Sequence, residues 1–363
     1  MTILPPRFLP PQPGDIPEID RVAGAPHPRE MLSLVGHDAQ ERAFLALYNA
    51  GTLHHAFLLT GPEGIGKATF AYRAARFLLA SGAEAGNGLF GGASTLDVPE
   101  EARATQLVAH LAHPDLGVLK RRYDSKTKKF RTEISVEDTR EALDLFAKTA
   151  AFGGWRVIIV DAADDLNKAS ANALLKTLEE PPEKAIFFLV AHQPQKLLPT
   201  IRSRCRVLAF SPLGDADLAA VAGAVSTAKP DSLALARAGG SVRRLLRHSE
   251  PGLRAFIALI DEILANLPKR RHAEIDRIAE TTRTGAEGEQ ALADLLEALE
   301  GWLHARIRDH AAAGDVLRAS LFAEFWSRMQ EEAARVEAVN LDRRAFVITL
   351  FDSLAALVSG APR

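Results

Sequence analysis

The sequence predicts an α/β protein in which a parallel five-stranded sheet covered by helices precedes a small helical segment and a C-terminal all-helical bundle. Three observations predict it. Short apolar β-type runs alternate with helical runs from about residue 36 to 210, the pattern of strands joined by crossover helices. Phe57-Leu58-Leu59-Thr60 leads into Gly61-Pro62-Glu63-Gly64-Ile65-Gly66-Lys67 and then into an apolar-periodic helix, the strand, glycine loop and helix of a phosphate-binding loop. After Ser211-Pro212-Leu213-Gly214 the β-type runs stop.

Element by element, the chain starts with a proline-rich arm. Eight of its 20 prolines fall in the first 28 residues. Proline fixes φ and donates no N–H, so residues 1–30 are expected to be extended and packed loosely or not at all, a tethering arm more than a proline-motif ligand. No basic stretch precedes an apolar core there, and no segment approaches the ~20 apolar residues of a membrane span, so neither a signal peptide nor a membrane contact is expected.

The core domain is expected over residues 31–212. Strands are predicted at His55–Thr60, Leu116–Lys120, Arg156–Val160, Ala185–Ala191 and Arg206–Phe210. Helices are predicted at His37–Ala50, Lys67–Ser81, Val136–Ala150 and Lys168–Glu179, with a short one near Leu197–Ser203. Ser135 followed by Asp138 provides a capping-box-like start for the third. The Gly/Ala-rich stretch Ser81–Ala112 reads as a flexible surface loop with some helix after Pro99. Residues 213–250 form a helical lid and residues 251–363 a bundle of about five amphipathic helices, with apolar faces such as Phe256, Ile260, Ile263 and Leu264.

Composition narrows the function classes. The 363 residues are 47% hydrophobic and 25% charged, as in ordinary globular chains. A formal net charge of −2 leaves only local patches as an argument for nucleic-acid binding. Tyr and Trp, three each, are too scarce to favour a stacking platform for single strands. One cysteine, Cys205, excludes an internal disulfide and a zinc site built on cysteine pairs, and fits a reducing compartment, the cytoplasm.

In the phosphate loop, backbone N–H groups curl round phosphate oxygens and Lys67 meets their charge. The next residue should be Ser or Thr to ligate Mg²⁺, and it is Ala68. Thr69 lies one place on, rotated by about 100° on a helix, and is no simple substitute. The buried strand Arg156–Val160 leads to Asp161, the aspartate expected to organise a metal. The following position, where an ATPase of this type has a water-activating glutamate, is Ala162. With metal ligand and base both lost, the pocket is expected to hold ATP or ADP, if at all, with poor hydrolysis. His110 and His113 lack partner ligands at suitable spacing, so no metal site is assigned.

The stretch Asn167-Lys168-Ala169-Ser170-Ala171-Asn172-Ala173-Leu174-Leu175-Lys176-Thr177-Leu178-Glu179-Glu180-Pro181-Pro182, then Leu198-Pro199-Thr200-Ile201-Arg202-Ser203-Arg204-Cys205, resembles the bacterial clamp-loader subunits of the AAA+ class. The resemblance covers roughly residues 30–250 with specific motifs; for the bundle it rests on helical pattern and position. It implies that Arg204 acts in trans on a neighbouring subunit's ATP, and that Arg243, opening a lid helix, is similar to the second sensor arginine that folds a lid onto phosphate. It implies a vestigial nucleotide site of Gly61, Gly64, Gly66, Lys67, Asp161 and Arg243. No cofactor is required, and zinc is not carried over, because the cysteine-rich module of many relatives is missing from Ser81–Ala112. The implied partners are ATPase motor subunits and a clamp-opening subunit in a ring, with a bundle that forms its collar, together with the sliding clamp and primer-template DNA. Any polymerase label would come from holoenzyme membership.

Two other readings remain open, a working motor subunit with a shifted metal ligand and an unrelated P-loop switch. The basic run Lys120–Arg131, with seven basic residues and one acid, reads as a polar hairpin, solvated or touching phosphates.

Overall fold

The computed structural model describes residues 16–22, 25–83, 92–225, 232–248, 250–339 and 341–360. It divides into two compact units, Met1–Ser249 and Glu250–Arg363.

The first unit is built on seven strands: β1 (Ala56–Thr60), β2 (Leu116–Leu119), β3 (Tyr123–Asp124), β4 (Lys129–Phe130), β5 (Arg156–Asp161), β6 (Ala185–Ala191) and β7 (Arg206–Ala209). Five of them make one parallel sheet in the order β2-β5-β6-β1-β7, while β3 and β4 pair as a separate antiparallel hairpin. Central register pairs Leu58 with both Leu189 and Val207, and Ile159 with Phe188. The central strands β1, β5 and β6 are covered on both faces, which is why they read as unbroken apolar runs and not as alternating ones. Phe57, Leu59 and Phe188 point into a core shared with Phe44 and Phe70, and Leu58, Ile158 and Phe187 into a second one with Phe146 and Leu174.

The covering helices are α1 (Asp38–Asn49), α2 (Lys67–Ala83), α3 (Arg103–Ala109), α4 (Val136–Ala147), α5 (Lys168–Glu179) and the single turn α6 (Pro199–Arg202). Ser135 accepts the Asp138 N–H at 3.2 Å to start α4, and Asn167 accepts that of Ser170 at 2.9 Å to start α5. Three short helices follow, α7 (Asp215–Val225), α8 (Ser232–Ala238) and α9 (Val242–His248), packed on Leu213, Leu218 and Leu245. Among its described residues the second unit has five helices, α10 (Pro251–Ala265), α11 (His272–Thr281), α12 (Gly285–Ala312), α13 (Val316–Val339) and α14 (Arg343–Ser359). Ile260, Ile263, Leu295, Leu299, Phe325 and Phe351 form its core.

Two expectations need correction. The arm is not loosely packed from residue 16 onward: His27 and Glu30 are buried, and α2 sends fully buried Arg73 and Arg76 to the carbonyls of Leu32, Met31 and Arg29. Carbonyl oxygens with no ladder partner are suited to a guanidinium, so the proline-rich segment is tied down because it cannot pair with itself. Residues 1–15 lie outside the described part. The later half of the Ser81–Ala112 insertion is likewise no surface loop. Leu96 and Val108 enter the first core, and Asp97 pairs with Arg73 at 3.0 Å; residues 84–91 lie outside the described part.

Candidate functional site: a phosphate loop under a lid

The carboxyl ends of β1, β5 and β6 open onto a cavity of about 370 Å³, the usual ligand position in an open parallel sheet. Gly64, Gly66, Lys67, Asp161 and Arg243 line it, as do Ala68, Thr69 and Ala162. Gly61 shapes the loop from below. Its φ is +139° and a Cβ there would lie 2.4 Å from the Phe210 carbonyl oxygen, so only glycine fits. Gly64, at φ +76°, carries the lid: Val242 donates to its carbonyl at 2.9 Å, and a Cβ would meet Ser241 Oγ at 2.3 Å.

Lys67 is buried and its ammonium donates to the Gly61 carbonyl at 2.5 Å and to that of Pro62. Burial brings its pKa down to about 8, against the charges of Asp161 and Glu63. Asp161 is also buried, and burial pushes its carboxyl up to about 7; the nearby charge of Asp20 adds to this, while Lys120 and Lys67 oppose it. Arg243 lies 3.4 Å from Glu63 and donates to the Ile19 carbonyl at 3.1 Å. Asp164 accepts the backbone N–H groups of His192 and Gln193, the latter at 3.2 Å, and Asp165 pairs with Arg121 at 2.8 Å. Both are occupied structurally and neither replaces the glutamate missing at Ala162.

Arg204 stands apart from this cavity. It ends the turn after α6, with Nη2 2.8 Å from Glu179 Oε1 and Nη1 3.0 Å from the Thr200 carbonyl, and its side chain is 35% exposed. Cys205 beside it is half-buried, and burial pushes its thiol up to about 12, so it is inert at neutral pH.

Sequence reasoning missed two parts of the site. His192, immediately after β6, lines the cavity with Nδ1 buried and without a hydrogen-bond partner; burial and then the Lys67 charge lower its pKa. Its position at the carboxyl end of a central strand was the available signal. The other part is the segment Ile16–Val22, whose Ile19, Asp20 and Val22 form a wall of the cavity. Glu18 and Asp20 there, with His27, bring ligand atoms within 4.8 Å of one another. Lys120 at 3.1 and 2.8 Å, and Arg29 at 2.6 Å from Glu18, already neutralise those carboxylates, so the group is an ion-pair cluster.

The basic hairpin is largely engaged with acids. Lys120 reaches Asp20, Arg121 reaches Asp165, and Arg122 and Arg131 both reach Asp138, while Lys126, Lys128 and Lys129 at the turn are exposed. His113 Nδ1 accepts the Asp115 N–H at 3.1 Å in the turn into β2.

Sheet order, phosphate loop and helical lid together define a P-loop domain of the AAA+ class. Residues 36–214 match the model of the family described as DNA polymerase III, delta subunit. Within it, the chain is similar to delta-prime subunits: 37% identical over 226 residues to DNA polymerase III subunit delta' of Pseudomonas aeruginosa, and 36% over 168 residues to that of Escherichia coli. Those alignments cover 60% and 46% of this chain, and 63% and 46% of the relatives' own lengths. DNA polymerase III subunit tau of Escherichia coli is 36% identical over 181 residues, 49% of this chain and 25% of that protein.

Proposed function

We propose that the chain works as a delta-prime-like subunit of the DNA polymerase III clamp loader. It holds a hetero-oligomeric ring together and completes a neighbouring motor subunit's ATP site with Arg204, so that a sliding clamp is loaded on primer-template DNA. The observation that carries this reading is the contrast between Arg204 and its own pocket. Arg204 is 35% exposed, outside the cavity, and its acidic partner is Glu179, a carboxylate that is itself 50% exposed. The cavity that should use an ATPase's machinery has alanine at both positions 68 and 162. A guanidinium is permanently charged and matches phosphate oxygens bidentately, and one donated in trans contributes ~10³–10⁵ in rate. Lys67 and the loop glycines remain suited to hold ATP or ADP without turning it over.

Exposed apolar residues at the start of α13, Val316 and Leu317 at 73% and 72%, support a collar contact with other subunits, since large apolar side chains clustered in water favour association. The test is a reconstituted loader carrying Arg204→Ala. ATP turnover and clamp loading should fall at least about tenfold while the complex still assembles; unchanged rates would refute the assignment.

One observation favours the motor alternative: Thr69 lines the cavity beside Ala68. Steady-state hydrolysis by the purified chain that disappears in Lys67→Ala would establish it.

A further inference from the structure

The segment Ile16–Val22 forms one wall of the cavity and holds its lid arginine. Arg243, the lid arginine, donates to the Ile19 carbonyl at 3.1 Å. Asp20 places a negative charge close enough to Asp161 to raise its pKa, and Ile19 and Val22 fill the cavity wall. Burial works against the ionised forms of Asp20 and Glu18, yet the hydrogen bond from His27 and the Lys120 ammonium keep Asp20 ionised, and the Arg29 hydrogen bond and Lys120 hold Glu18 at about 2. Two carboxylates therefore stay ionised, Asp20 in the cavity wall and Glu18 behind it, and they engage Lys120 and Arg29, cations that a polyanionic ligand could otherwise recruit.

The two halves of the arm are held differently. Residues 29–32 are pinned through their backbone carbonyls by Arg73 and Arg76 of the phosphate-loop helix, whereas residues 18–21 are held by side-chain ion pairs, Glu18 with Arg29 and Lys120, Asp20 with Lys120 and His27. Carbonyl contacts to fully buried arginines persist unless the core opens; an ion pair can exchange one anion for another, and apart from buried His27 these side chains keep 11–19% of their surface accessible.

We propose that Ile16–Val22 is a self-occupying strap that competes with nucleotide for Arg243 and the phosphate end of the cavity, and is displaced when a nucleoside triphosphate binds. This rests on the reading of the cavity as a nucleotide site.

The test uses the full chain and a fluorescent ATP analogue with Mg²⁺. Glu18→Gln/Asp20→Asn should bind it at least about fivefold more tightly than wild type, because two like charges are removed. Ile16, 68% exposed, can be replaced by cysteine and labelled selectively, since Cys205 is inert at neutral pH. ATP should change that label's emission with the midpoint of the binding curve. Equal or weaker binding by the double variant, or binding with no change at the label, would overturn the strap and leave the nucleotide site standing. Binding by neither protein would overturn the site and the strap together, whereas binding by the double variant alone would support both.

Discussion

Arg204 and Glu179 form an ion pair of 2.8 Å between the turn after α6 and the last residue of α5. It ties the Ser-Arg-Cys turn to the Glu-Glu-Pro-Pro end of the helix, so the two most specific stretches of the sequence meet in one contact. Glu179 is 50% exposed, so the pair is solvent-screened and can yield to a stronger anion such as a phosphate.

Glu179→Ala should therefore change stability by less than ~1 kcal/mol in urea denaturation. In the reconstituted loader it should leave ATP turnover within about twofold of wild type, whereas Arg204→Lys should not restore activity, because an ammonium lacks the guanidinium's two parallel donors. Full rescue by lysine would mean that point charge alone is needed.

The pH dependence of Lys67 has opposite signs for binding and for folding. Burial brings its pKa to about 8 in the folded chain, against 10.5 for an ordinary lysine. Between those values the unfolded state holds more protons, so this residue's contribution to stability rises with pH across that window and is smallest below 8. Nucleotide needs the ammonium, so affinity should fall about tenfold from pH 7 to pH 9. Isothermal titration at the two pH values checks it, with Lys67→Met as the control expected to bind weakly at both.

Gly64→Ala should separate the lid from the loop. The added Cβ would fall 2.5 Å from Arg243 Cβ as well as onto Ser241, in a backbone at φ +76°. We expect a loss of about 1–3 kcal/mol and faster hydrogen exchange in Val242–His248. Unchanged protection of α9 would contradict the lid contact.

Phe188 lies in the first core with ring centroids 5.9 Å from both Phe44 and Phe57. Phe188→Ala should cost about 3–5 kcal/mol, read as a lower urea midpoint. Val207→Thr, on an edge-strand position 53% exposed, should stay within ~0.5 kcal/mol.

Much of the fold was legible because its signals are local. Each sheet strand agrees with its expected span to within one residue at either end, since strands covered on both faces are continuous apolar runs bounded by polar turns. The phosphate loop was legible for the same reason, with strand, glycines, lysine and helix contiguous. The arm was misjudged because proline content describes what a segment cannot do with itself. It says nothing of arginines 41 to 47 residues away that donate to its carbonyls.

By itself, the sequence determined the parallel sheet, the order of its helices, the loop that would hold phosphate and the two alanines at positions 68 and 162, because these follow from hydrophobic period and from residue type at a fixed spacing. Only the tertiary structure decided what each charge meets. Arg243 finds the carbonyl of Ile19 across 224 positions, Lys120 finds Asp20 across 100, and Arg204 finds Glu179. Charge pairing acts through space and leaves no periodic trace along the chain, so those partners emerge only once the sheet has brought its strand ends together.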